Sequence, residues 1–207
     1  MSKIKVLIVE DEPVIAENIS LYLDNNDFEV SGIAYDSDDA LMQLKENTPD
    51  AVIMDINLSS EKDGIDIALY INTKYQLPFL FLTSYSDKNT LDRAKKVKPS
   101  GYIVKPFNER TLLASLEIAI SNHAAEKNHD LPKLSSEKLN KHLLNPFSDR
   151  EFELAQLLYD GITNTQIAEK LYISVNTVKT HLKNIYLKLD ANSRLQVIQK
   201  LRELILK

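Results

Sequence analysis

IKVLIVEDEP (residues 4–13) decides the fold class of the first half of this chain. Six residues, apolar but for Lys5, run without alternation and then break into three consecutive carboxylates and a proline. A strand with one wet face alternates apolar and polar residues, whereas a strand buried on both faces of a parallel sheet does not. A proline just past the break sits comfortably in the first turn of a helix. The segment therefore reads as a buried strand, a loop carrying Glu10, Asp11 and Glu12, and a helix from about residue 13. Further apolar runs lie at Ala51 to Met54, Phe79 to Leu82 and Tyr102 to Val104, with a weaker one at Phe28 to Ala34. Helical patterns at about 13–25, 37–47, 64–74, 87–97 and 108–122 separate and follow them. Five strand–helix units in that order predict an α/β domain over residues 1–122, a doubly wound, flavodoxin-like five-stranded parallel sheet of order 2-1-3-4-5.

The 207 residues are 43% hydrophobic, enough for packed cores, and include no cysteine. Disulfide frameworks, thiolate nucleophiles and cysteine zinc sites are thereby excluded. No apolar run is long enough to span a membrane, and carboxylates interrupt the N-terminus before a signal-peptide core can form, so the expected location is cytoplasmic, away from membranes. The net charge of −5 is unevenly spread. Residues 1–122 hold 12 Lys/Arg against 20 Asp/Glu, while residues 146–207 hold 9 against 7. An acidic front and a mildly basic back predict two modules with different partners.

Periodicity weakens over residues 123–145, where Pro132, Ser135 and Ser136 predict a linker with a short helix from Ser136 to Leu144. After Pro146 the pattern is wholly helical and predicts a four-helix all-α domain over 146–207. Ser148-Asp-Arg-Glu151 is a capping box, Gly161 closes the first helix, and Thr163–Asn164, Ser174 and Ser193 open the next three.

In an open parallel sheet, ligands bind at the carboxyl ends of the strands. Asp11 and Asp55 stand at the ends of neighbouring strands in the predicted order. Clustered carboxylates repel one another, and a hard divalent cation such as Mg²⁺ relieves that repulsion. The fourth strand ends in Thr83-Ser84 and the fifth in Lys105-Pro106. Metal, hydroxyl and ammonium together can neutralise a phosphoryl group carried on a carboxylate. A lone Asp at a strand end is ordinarily a helix cap; several mutually compatible strand ends are not so easily dismissed.

VEDEP, MDINL, FLFLTS and GYIVKPF, in this order and spacing, resemble the receiver domain of two-component response regulators. The resemblance implies Asp55 as phosphoacceptor, Asp11 as a direct Mg²⁺ ligand, and Glu10 acting on the metal through water. It implies the Asn57 backbone carbonyl as a further ligand and a cis Lys105–Pro106 bond. Lys105 would pair with the pocket carboxylate and then with the phosphoryl group, Thr83 would hydrogen-bond the phosphoryl oxygen with Ser84 beside it, and Tyr102 would rotate inward when Thr83 moves. The loop Asn57-Leu-Ser-Ser-Glu-Lys-Asp-Gly64 lacks the Met-Pro-Gly common in that family and is slightly longer. Asn57 and Tyr85 lie where the family shapes access of the attacking water.

Residues from Phe147 to Leu201 resemble the LuxR/NarL-type helix-turn-helix through Gly161, Asn164, Ile167-Ala168, Ile173-Ser174, Thr177-Val178-Lys179, His181, Lys188-Leu189 and Arg194. A recognition helix enters the major groove with its N-terminal residues at base edges. From 174 to 189 there are three lysines and no carboxylate. The match implies that Lys179, Thr180 and Lys183 face bases and neighbouring phosphates, and that Asn176, Thr177, Asn184 and Lys188 also contact double-stranded DNA. Val178, Leu182 and Ile185 should be core. Leu195, Ile198, Leu201 and Ile205 form an apolar stripe suited to a dimer face or to packing on the bundle.

The expected function is that of a response-regulator transcription factor. A cognate histidine kinase phosphorylates Asp55, and the phosphorylated chain forms a homodimer that binds promoter DNA. The alternative is a phosphorylation-independent regulator with a vestigial receiver. A phosphohydrolase would want an acid two residues beyond its nucleophile, and Asn57 stands there, so no turnover enzyme is expected.

Overall fold

The structure, a computed structural model, describes residues 3–25, 27–59, 61–84 and 88–206. Its strands are β1 (Ile4–Val9), β2 (Phe28–Ala34), β3 (Ala51–Asp55), β4 (Phe79–Thr83) and β5 (Gly101–Val104). Interleaved with them are α1 (Pro13–Leu23), α2 (Ser37–Glu46), α3 (Gly64–Lys74), α4 (Lys88–Lys96) and α5 (Glu109–Asn128). The strands form one sheet of order β2-β1-β3-β4-β5, and the pairs β1·β3, β3·β4 and β4·β5 are parallel. The predicted fold class and strand order are those observed.

Strand composition follows position in the sheet. Every residue of β3 and β4 is buried, as their unbroken apolar runs require. Edge strand β2 keeps partly exposed positions throughout its middle, and edge strand β5 exposes Tyr102 and Val104 on either side of buried Ile103. Asp55 and Thr83 are the last residues of β3 and β4, as expected, so the backbone ladder extends one position past each apolar run. The Ile56 N–H donates to Leu82 O at 3.1 Å, and the Lys105 N–H to Thr83 O at 2.9 Å, which tightens the carboxyl edge.

The remaining helices are α6 (Ser136–Lys141), α7 (Asp149–Tyr159), α8 (Asn164–Leu171), α9 (Val175–Lys188) and α10 (Arg194–Ile205). Capping boxes at Ser148/Glu151 and Thr163/Gln166 start α7 and α8, and the Ser174 and Ser193 side chains cap α9 and α10. Gly161, at φ 78°, ends α7 in a Schellman turn: its N–H donates to Leu158 O and that of Ile162 to Leu157 O, both at 3.1 Å. Leu154, Leu158, Ile167, Val178, Leu182, Ile185, Val197 and Leu201 are fully buried at the centre of this unit.

The division between the two compact units falls inside α5, between Ile120 and Ser121. The predicted end of the front module at 122 is therefore followed by six more residues of helix. Asn128 ties them to the helical unit, donating to Tyr159 O at 2.9 Å and accepting from Arg202 Nε at 3.0 Å. The stretch 123–145, expected as a linker, also supplies Leu139 to the helical core, with Leu131, Leu134 and Leu143 packed against it. Its helix is shorter than expected, ending at Lys141 rather than Leu144.

Candidate functional site

Strand ends converge on a cluster of charges in the α/β unit. Glu10 follows β1 and is fully buried; Asp55 ends β3 and is 5% exposed. Lys105 follows β5, and its Nζ lies 2.5 Å from Asp55 Oδ2 and 2.7 Å from Glu10 Oε2. The loop backbone holds the other oxygens: the Asn57 N–H donates to Asp55 Oδ1 at 2.9 Å, and the Ser59 N–H to Asp11 Oδ2 at 3.0 Å. Among the described residues, Glu10, Asp11 and Asp55 are the carboxylates whose oxygens gather closely enough, within 4.8 Å of one another, to share a metal ion.

The electrostatics follow from burial and pairing. Burial pushes the Glu10 carboxyl above its ordinary value, against the pull of Lys105. Asp11 also feels burial, but its hydrogen bonds with Ser59 outweigh it and hold the carboxyl below the usual range. Burial would lower Lys105, yet the hydrogen bonds to Asp55 and Glu10 prevail and raise it, so the ammonium stays charged. Two carboxylates and one ammonium in a nearly dry pocket leave net negative charge, a complement for a cation.

The other predicted residues surround this cluster. Thr83 is buried at the end of β4, while Ser84 and the Asn57 side chain are exposed. The Lys105–Pro106 peptide bond is cis. Tyr102 on edge strand β5 is 39% exposed, its ring 5.9 Å from that of Phe81. Ser84, Lys105 and Pro106 share with Glu12, Ile15 and Tyr22 the lining of a cavity of about 380 Å³. Tyr85, expected to shape water access, lies outside the described residues. The Ser59–Asp11 contact was not anticipated from the sequence; the missing loop proline was its only signal, since proline has no N–H to donate.

In the helical unit, α9 presents Asn176, Thr177, Thr180, Lys183 and Asn184 to solvent, with Lys179 half-exposed. Val178, Leu182 and Ile185 are fully buried on the opposite side. Ser174 Oγ accepts from the Thr177 N–H at 3.0 Å and lies 2.8 Å from its hydroxyl, and the Thr180 hydroxyl donates to Asn176 O. The first turn of α9 is thus fixed by its own short polar side chains. Lys188 departs from the DNA face assigned to it: its Nζ donates to Glu151 Oε2 at 2.6 Å and to Pro146 O at 2.7 Å. Its charge is already matched by a buried carboxylate. Two members of the apolar stripe on α10, Leu201 and Ile205, are buried in the bundle core, and Ile198 packs against it. Most of that stripe is therefore internal packing.

A charged pocket at the carboxyl edge of a flavodoxin-like sheet, joined in one chain to a helix-turn-helix unit, defines a signal-receiving, DNA-binding regulator. Residues 6–117 match the response regulator receiver domain, and residues 145–201 match the LuxR family of bacterial regulatory proteins. The chain is 30% identical over 200 residues to the response regulator protein VraR of Staphylococcus saprophyticus, covering 94% of each. It is 29% identical over 209 residues to the transcriptional regulatory protein YxjL of Bacillus subtilis, covering 95% of this chain and 94% of that one. The crystal structure of a signal receiver domain of a modulated diguanylate cyclase from Desulfovibrio desulfuricans covers 60% of this chain and 98% of its own, with TM-score 0.57 and 34% identity. Full-length FixJ from B. japonicum, at 21% identity and TM-score 0.55, shares the fold over 100% of both chains. The chain belongs to the response-regulator family: it is a regulator of transcription with a receiver domain and a LuxR-type DNA-binding domain.

Proposed function

We propose that Asp55 accepts a phosphoryl group from the phosphohistidine of a cognate histidine kinase, and that this modification governs DNA binding. The observation carrying the reading is Lys105 Nζ at 2.5 Å from Asp55 Oδ2 inside a group of three carboxylates. In the transfer, an Asp55 carboxylate oxygen forms the new P–O bond as the donor's P–N bond breaks. Lys105, held charged by its two acidic neighbours, moves from neutralising the carboxylate to neutralising the phosphoryl oxygens. Residues 1–122 carry this chemistry, 146–207 the DNA contacts, and 123–145 join them.

All donors in the pocket are oxygens and their charge is in excess, which fits Mg²⁺ rather than a softer metal. Glu10, Asp11, Asp55 and the Asn57 carbonyl would hold it, and the ion would offset charge on the phosphoryl group during transfer. Thr83 and Ser84 supply hydroxyls beside the pocket, and Tyr102, exposed on β5, has an outward position to leave when Thr83 engages the phosphoryl group. The modified receiver favours a homodimer that places two α9 helices on paired half-sites. Lys179, Lys183, Asn176, Thr177, Thr180 and Asn184 make the contacts to double-stranded DNA.

The test is fluorescence anisotropy of promoter duplex with the full chain, with and without a small-molecule phosphodonor and Mg²⁺, at several salt concentrations. The donor is expected to tighten binding for wild type and not for Asp55→Asn, with affinity falling steeply as salt rises. Equal affinity in all four conditions overturns the phosphorylation switch, and a flat salt dependence overturns the DNA interface.

A further inference from the structure

The loop between β3 and α3 is pinned at both ends. At its start, the Asn57 N–H donates to Asp55 Oδ1 at 2.9 Å. At its finish, the Gly64 N–H donates to Ile56 O at 3.0 Å, and a Cβ at Gly64 would lie 2.0 Å from the Asp55 carbonyl oxygen. Between these anchors, the Ser59 N–H reaches across 48 residues of sequence to Asp11 Oδ2 at 3.0 Å. Asp11 differs from its two acidic neighbours: Glu10 and Asp55 are buried and gripped by Lys105, whereas Asp11 is partly exposed with no ion pair to Lys105. A short carboxylate at a half-open rim has water as an alternative partner and more than one rotamer available.

We propose that Ser59 is a positioning residue for Mg²⁺: its backbone N–H, helped by its hydroxyl, holds the Asp11 carboxylate toward the buried Glu10–Asp55 pair, where it can meet the ion. The inference rests on the reading of Asp11 as a metal ligand. A carboxylate accepts several hydrogen bonds, so donation to Oδ2 does not exhaust Asp11. Groups that orient metal ligands in this way alter affinity by about 10–100-fold when removed. The Ser59 hydroxyl also hydrogen-bonds Asp11, so losing the hydroxyl alone costs part of the hold, and losing the N–H as well costs the rest.

The experiment is a calorimetric Mg²⁺ titration of the full chain, which has no tryptophan for quenching measurements. Ser59→Pro, which removes the N–H, is expected to weaken Mg²⁺ binding about tenfold or more, whereas Ser59→Ala, which keeps it, loses clearly less. Affinity in Ser59→Pro equal to or tighter than wild type overturns the proposal, as does an Ser59→Ala loss as large as that of Ser59→Pro. Asp11→Asn separates the two levels: if it binds Mg²⁺ as wild type does, the ligand reading itself fails. If it binds weakly while Ser59→Pro is normal, only the positioning role fails. Amide hydrogen exchange gives an answer that does not depend on the proline variant folding. The Ser59 amide is expected to be protected in metal-free wild type and to lose that protection in Asp11→Ala; an unprotected Ser59 amide in wild type overturns the contact.

Discussion

Glu151 and Lys188 are 37 residues apart in sequence and 2.6 Å apart in the fold. The Glu151 Oε2 that receives the Lys188 ammonium also accepts the Ser148 N–H at 2.8 Å, so one carboxylate oxygen both caps α7 and anchors the last residue of α9. Removing the ammonium leaves a buried carboxylate short of a donor. Lys188→Ala is expected to destabilise the helical unit by about 1–3 kcal/mol, read by urea unfolding. Glu151 also gives this pair a pH dependence. Burial alone would raise its carboxyl, but the bonds from Lys188 and Ser148 prevail and hold it below its ordinary value of 4.5. A carboxyl with a lowered folded-state pKa contributes stability that is present above 4.5 and lost as pH falls through the folded value. Unfolding free energy should therefore drop in that acidic window for wild type and drop less in Lys188→Ala.

The same pair separates two lysines that look alike in the sequence. Lys183 is exposed on α9, and Lys188 is neutralised by Glu151. Lys183→Ala is expected to weaken promoter binding and to reduce the slope of log affinity against log salt by about one, as for a lost phosphate contact. Lys188→Ala should leave that slope unchanged. A slope lowered equally by both variants contradicts the division of roles.

Gly64 opens α3 directly beneath the pocket. An alanine Cβ there would meet the Asp55 carbonyl oxygen at 2.0 Å, so the loop or the end of β3 must move. Gly64→Ala is expected to cost about 1–3 kcal/mol of stability and to slow phosphoryl acceptance at Asp55. Thermal unfolding together with phosphorylation kinetics checks it. Wild-type stability and kinetics would show that the close approach is not required.

Tyr172 closes α8 in the left-handed region, at φ 52° and ψ 44°, with its side chain 95% exposed. A tyrosine there is strained without gaining packing, and glycine adopts the conformation freely. Tyr172→Gly is expected to stabilise the helical unit by about 0.5–1 kcal/mol, the relief of backbone strain exceeding the added freedom of the unfolded chain. A lowered unfolding midpoint would assign the exposed ring a stabilising contact.

The pocket was legible in the sequence because a parallel sheet brings strand ends together at one edge, so apolar runs ending in Glu10, Asp55, Thr83 and Lys105 already name their neighbours. Asp55 and Thr83 close their strands because the ladder continues past the last apolar residue. Residues 123–128 looked like the start of a linker because the apolar repeat thins there. They remain helical, with Ala124 buried and Asn128 making polar ties to Tyr159 and Arg202, contacts that no local pattern records. Lys188 carries the same lesson: residue type announces a charge, and only the fold says which carboxylate neutralises it. Ser59 is harder still, because a backbone N–H is the same in almost every residue.

The switch proposed above depends on Asp55 being a working phosphoacceptor. Its most direct test is the intact mass of the full chain after incubation with Mg²⁺ and a small-molecule phosphodonor, wild type beside Asp55→Asn. A single phosphoryl adduct is expected on wild type, requiring Mg²⁺, and none on Asp55→Asn. An adduct of equal yield on Asp55→Asn, or one formed equally well without Mg²⁺, would contradict it.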